Sequence, residues 1–268
     1  MPKLLQTLTP ALVAIFWGLV PVYLFTSNQI GNFLVPKFHN YALFGGLGMI
    51  ILGLFVALTS RQQSDCGHDH QDCDHDHDHA EQSPLTILLL MALPVGAALT
   101  TDTSAGFSLD VLERKGLYDS KIDPSAYQIP PFTREMLENS TPRSQNGHFQ
   151  LPVGQLFFSS GDSSMREVFT DLPVETEGQV VPERDNNENG DRLRIYRTVM
   201  TCCAADALVL GFPIIFNEIA PVIEERAWVR IEGTMAYEDS SDGPLPVFKV
   251  ESFEIIPPPE NGAWTGMW

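Results

Sequence analysis

From Leu4 to Pro36 the chain carries no charged side chain. A stretch of that kind has no polar face to leave in water, whereas about 20 apolar residues are enough for a helix to cross a bilayer. Leu8 to Phe25 meets that requirement, and Tyr41 to Thr59 and Pro84 to Thr100 repeat it. The sequence therefore predicts three N-terminal transmembrane helices, over residues 8–25, 41–59 and 84–100. A cleaved signal peptide is the competing reading of the first. The single Lys3 ahead of it, the absence of a small-x-small cleavage site and the two further apolar segments favour a span. Pro10 falls near the start of that helix, while Pro21 predicts a kink. Gly45, Gly46, Gly48 and Gly53 give the second helix a capacity for close packing, without the four-residue spacing of the usual dimer motif.

Beyond residue 100 the character reverses, and most of the formal net charge of -18 is found among polar, acidic residues. Such a balance excludes nucleic acid as a partner, because phosphates need lysine and arginine. Residues 101–148 read as a linker holding one short helix, with Ser108 as its cap and Gly116 as its stop. From residue 149 the pattern becomes strand-like, with strands expected near 150–158, 174–181, 193–201, 208–216, 228–237 and 247–256. Asp185 to Gly190 and Asp239 to Gly243 have the composition of hairpin connections. Short strands at this density predict a small antiparallel OB-like β-barrel over residues 149–257, followed by an irregular tail at 258–268. The fold class expected is thus membrane α plus soluble β.

Two stretches carry metal chemistry in their composition. Between the second and third apolar segments, residues 62–82 include Cys66, His68, His70, Cys73, His75, His77 and His79, interleaved with aspartates. In an extended chain alternate residues share a side, so several imidazoles can converge on one cation, with thiolates as softer ligands. A solvated acidic linker is the plainer reading of such a loop. The second stretch is Arg197-Thr-Val-Met-Thr-Cys-Cys-Ala-Ala-Asp206. It follows an alternating run, Leu193 to Met200, that reads as a half-buried strand. Adjacent side chains on a strand point apart, so Cys202 and Cys203 serve one site only if the chain turns there and brings Asp206 round to them. Ala204 and Ala205 permit such a turn. Packing of a buried thiol is the plainer alternative. Arg197 would lower a thiol pKa if it shared the cysteines' face.

The motif Cys202-Cys203-Ala204-Ala205-Asp206-Ala207, the Trp228-Val-Arg-Ile-Glu-Gly-Thr234 strand downstream and the apolar segments with a His-rich linker upstream resemble the YcgQ-like family of bacterial membrane proteins. The resemblance implies one subunit of a two-component permease, a multi-span partner in the bacterial cytoplasmic membrane, and an OB-like domain on the outer side with the His-rich loop in the cytoplasm.

Three functional readings follow. The first is a membrane-anchored accessory subunit of a permease that handles zinc or another transition metal through the His-rich loop and Cys202, Cys203 and Asp206. The expected spans hold no ionisable residue in their interiors, and transport sites normally need one, so the pore belongs to the partner. The second is a membrane-tethered thiol redox protein using the vicinal cysteines, although a two-residue disulfide ring is strained and no Cys-x-x-Cys is present. The third is a ligand- or protein-binding module with structural cysteines. No hydrolase triad, phosphate-binding glycine loop or paired catalytic carboxylates argue for an enzyme, and no organic cofactor is expected.

Overall fold

The structure is a computed structural model that describes residues 2–59, 91–93, 95–96, 107–119, 122–126, 132–240, 243–259 and 264–265. It divides into two compact units, Met1–Gly106 and Phe107–Trp268.

The first unit is built on helices α1 (Pro2–Thr26) and α2 (Pro36–Thr59). Among the described residues these two are long and apolar enough to cross a membrane. Of the third expected span, residues 91–93 and 95–96 are helical, and the remainder lies outside the described residues. Little of either long helix is enclosed, 17% and 11% of the apolar stretches. A core helix of a globular domain would instead bury most of its surface. Tyr41, Phe44, Ile51, Phe55 and Leu58 all project outward from α2. Where the helices touch, the contact is made by backbone. A Cβ added at Gly46 would lie 2.6 Å from the Pro21 ring and 2.7 Å from the Gly18 carbonyl oxygen, and Gly53 sits equally close to Ile15 and Ala11. The seven-residue spacing of Gly46 and Gly53 places both on one helix face, so these two glycines form the seam while Gly45 and Gly48 face open space.

The second unit is a mixed sheet with short helices packed on it. Helices α3 (Leu109–Arg114) and α4 (Arg134–Ser140) lead to β1 (Phe149–Gln150), then to α5 (Val153–Phe158) and α6 (Ser163–Phe169). The strands that follow are β2 (Pro173–Pro182), β3 (Arg192–Val199), β4 (Leu208–Ile215), β5 (Trp228–Ser240), β6 (Gly243–Ile255) and β7 (Trp264–Thr265). β2 pairs antiparallel with β5 and also with β3; β5 pairs with β6, β6 with β4 and β4 with β3. The pairings thus return to the strand from which they began. Val174, Ile195, Phe212, Ile231 and Phe248 are buried in its core, with Phe158 and Phe169 from the short helices.

Several expectations need correction. The sheet is mixed, not wholly antiparallel: β4 runs parallel to β6, β1 to β2 and β3 to β7. Residues 150–158, expected as a strand, hold α5 instead. Pro152 at its N-cap starts the helix, and Val153, Leu156 and Phe157 fall at helical spacing on the core. β3 is buried on both faces rather than one, because Phe107, Leu112, Leu117 and Tyr118 cover Tyr196, Val181 and Val209 from the outside. The tail is not irregular throughout, since β7 pairs with Thr198 and Val199.

A buried ion pair fixes that outer layer. Arg194 Nε lies 2.9 Å from Glu183 Oε2, with both side chains almost fully enclosed. Arg184 and Arg194 both present their guanidinium groups to the Tyr118 ring, at 4.0 and 5.5 Å. Removing one member of such a pair strands the other charge away from water, at a cost of about 3–5 kcal/mol, whereas removing both does not. Chemical denaturation should therefore find Arg194→Met and Glu183→Met each strongly destabilised and the double variant substantially recovered. Additive losses would mean that the charges act independently.

Candidate metal centre

At the end of β3 the chain leaves the sheet through Met200 and Thr201 and enters a single 3-10 turn, Ala204–Asp206. Cys203 stands at the N-cap with extended dihedrals, φ -152° and ψ 167°. The turn reverses the alternation that would otherwise hold neighbouring side chains apart. Cys202 Sγ and Cys203 Sγ lie 3.6 Å apart, and one ligand atom from each cysteine and from Asp206 fall within 4.8 Å of one another. Both thiols are free, Cys202 exposed and Cys203 half-buried.

Asp206 holds this arrangement together. Its Oδ2 accepts the backbone N–H of Cys202 at 2.8 Å, and its Oδ1 accepts those of Cys203 and Thr201 at 3.2 and 3.3 Å. The Asp206 N–H returns to the Cys203 carbonyl at 3.0 Å. Lys115 braces the turn from the covering segment, donating through Nζ to the carbonyls of Ala207 at 2.8 Å and Ala205 at 3.3 Å. Lys115 was not legible as part of this site, because 90 residues separate it from Ala205.

The N-terminal domain model of DUF1980 matches residues 10–110, and its C-terminal domain model matches residues 163–262, across the Cys-Cys-Asp turn. The chain carries both domains of the DUF1980 family. No curated protein matches it. Among solved structures, a DUF3299 family protein from Pseudomonas aeruginosa is similar at 9% identity, covering 40% of this chain and 95% of that one with a TM-score of 0.26, a likeness too slight to bear on the fold.

In this DUF1980 chain the two thiols are chemically unequal. Asp206, which takes a hydrogen bond from the Cys202 thiol, and then Cys203 push Cys202 up to about 11. Cys203 is lowered, because the N–H groups of Ala205 and Asp206 and the Cys202 thiol point at its sulfur. Burial works to raise the Asp206 carboxyl, but the Cys202 thiol and the three backbone donors outweigh it and hold it low. A carboxylate has about four lone-pair sites. Three backbone N–H groups occupy three of them. Loss of the thiol protons would set two thiolates beside a carboxylate with a position to spare, so the donor set fits a thiophilic transition metal.

The remaining sequence candidates stand differently. Cys66, His68, His70, Cys73, His75, His77 and His79 lie outside the described residues. Arg197 spends its charge elsewhere, with its guanidinium 4.5 Å from the centre of the Trp228 ring. His148, which read as an ordinary polar residue, sits between Glu232 and Glu251, at 3.7 and 3.9 Å.

Two outcomes test this chemistry. Replacing Asp206 by Asn removes the charge that retains the Cys202 proton, so the Cys202 pKa should fall from about 11 and alkylation at pH 8–9 should speed up several-fold, as read by peptide mass spectrometry. An unchanged rate would separate Asp206 from the thiol. Metal affinity should fall as pH drops, because both thiols must lose protons to bind; competition with a chelator between pH 6 and 8.5 reads that slope.

Proposed function

We propose that this protein is a membrane-anchored accessory subunit of a permease that handles a zinc-like transition metal. The observation that carries the reading is the turn at the end of β3, where two thiols and a carboxylate stand within 4.8 Å of one another on the surface. Exposure suits passing an ion on; a permanent structural site would be closed over by four protein ligands. The His-rich loop, with Cys66, His68, His70, Cys73, His75, His77 and His79, collects metal in this reading.

The helices supply the anchor. α1 and α2 expose apolar side chains along most of their length, in keeping with lipid around them. Neither carries an acidic or basic residue in the interior of its apolar stretch, so an ion path must be provided by a multi-span partner. We place residues 84–100 as a third span, in the bacterial cytoplasmic membrane. Three spans would put the His-rich loop and the sheet domain on opposite sides, and we place the loop in the cytoplasm and the domain outside, as the family resemblance implies. The strand domain itself is read as an OB-like barrel: the circuit β2–β5–β6–β4–β3–β2, with one parallel pairing between β4 and β6, supports that reading.

A second reading, thiol redox chemistry, is favoured by one observation, the 3.6 Å separation of the sulfurs. Metal analysis of the full chain, purified with reductant, separates the two. Wild type should carry more zinc than Cys202→Ser/Cys203→Ser by one equivalent per chain, with the loop's share unchanged. Equal metal content in the two would dismiss the metal reading, and, in protein purified without reductant, two thiols that appear on reduction in wild type but not in Cys202→Ser/Cys203→Ser would support the redox one.

A further inference from the structure

The cysteine turn offers a metal ion one donor too few. Among the described residues the group that can hold an ion is Cys202, Cys203 and Asp206, and no further histidine, cysteine or carboxylate joins them. A zinc-like ion takes four donors in a tetrahedron. The sulfurs already stand near that geometry. With metal–sulfur bonds of about 2.3 Å, two thiolates of a tetrahedron lie about 3.8 Å apart. Cys202 Sγ and Cys203 Sγ are 3.6 Å apart. All three donors come from one short turn, so they approach the ion from one side and the fourth vertex points away from them. Thr201, Cys202 and Ala205 are exposed, which leaves that vertex within reach of a ligand from outside.

Charge decides which ligand that is. As ligands, thiolate and carboxylate are both anions, so the turn sets three negative charges around a doubly charged cation. Lys115 donates to the carbonyls of Ala205 and Ala207, and counting its ammonium the local balance comes only to neutrality. The chain as a whole carries a net charge of -18. A fourth anion, whether thiolate or carboxylate, would find no positive charge left to meet it and would approach against the field of an acidic protein. A neutral donor meets no such opposition. Among the side chains that bind zinc, imidazole alone is neutral.

We infer that the fourth position is completed by a histidine imidazole of the protein that delivers or takes the ion, in a ternary complex with Cys202, Cys203 and Asp206 through which the metal is exchanged. The inference rests on the metal reading of the turn and adds the chemistry of the exchange partner. It also accounts for the exposure of the site, since a closed turn would bar the incoming ring.

Cobalt(II), a spectroscopic stand-in for zinc, tests it on the full chain in detergent. Cys66 and Cys73 are replaced by Ser and the five histidines of that loop by Asn, so that thiolate signals come from the turn and imidazole signals from added ligand. Thiolate-to-cobalt absorption that disappears with Cys202→Ser/Cys203→Ser establishes the site, and its absence would overturn the metal reading itself. The loaded protein is then titrated with imidazole and, separately, with acetate and thiocyanate. The expected result is that imidazole shifts the visible cobalt bands, saturating at one imidazole per ion, while the thiolate absorption persists. Each anion should bind at least about tenfold more weakly. With the thiolate absorption present, three results would overturn the inference alone: cobalt bands that imidazole does not move, an anion that binds within that tenfold, or imidazole that strips the ion from the thiols.

Discussion

The strand Pro173–Pro182 is hydrogen-bonded along both edges, to Trp228–Ser240 over Pro173 to Gln179 and to Arg192–Val199 over Gln179 to Pro182. The two pairings overlap only at Gln179, because the strands twist apart on either side of it. That geometry closes the strand circuit at one end and opens it at the other. The closed end is sealed by the ion pair of Arg194 with Glu183 and by Tyr118. The open end leaves Arg197 beside a cavity, and β3 runs past it to deliver Cys202 and Cys203 beyond the sheet. The cysteine turn thus stands where β3 runs beyond its last pairing, that of Val199 with Leu208.

At the cysteine turn the geometry and the electrostatics share a cause. The carboxylate that caps the turn gathers three backbone N–H groups and so fixes the positions of both sulfurs. The same carboxylate holds the Cys202 proton in place, while N–H groups of the turn favour the Cys203 thiolate. The two thiols therefore lose their protons in order, Cys203 before Cys202. That is a suitable condition for an ion that must arrive and leave, since each ligation step is coupled to a proton.

Much of this was legible in the sequence where a local rule decides it. The five strands β2 to β6 follow from β-branched and aromatic runs between turn residues such as Asn186 and Gly190, both at positive φ. The apolar stretches of α1 and α2 follow from length and lack of charge. The turn that unites Cys202, Cys203 and Asp206 was foreseeable, since only a reversal brings neighbouring side chains together. What escaped was non-local. Val153–Phe158 read as a strand because its apolar run is too short for periodicity to separate helix from strand. The double burial of β3 depends on residues 107–118, nearly 80 positions away in sequence, so alternation alone misread it. Lys115 escaped for the same reason, and Arg197, which would act on the thiols only if it shared their face, meets Trp228 instead. Parallel pairing of β4 with β6 is set by topology and leaves no mark in the pattern.

The central claim is that the vicinal thiols of the turn are metal ligands. X-ray absorption at the zinc edge tests it most directly, on the full chain loaded with one equivalent of zinc and with Cys66 and Cys73 replaced by Ser. The account predicts two sulfur scatterers at about 2.3 Å, with lighter atoms completing the shell. A shell of nitrogen and oxygen alone would place the ion elsewhere and contradict it.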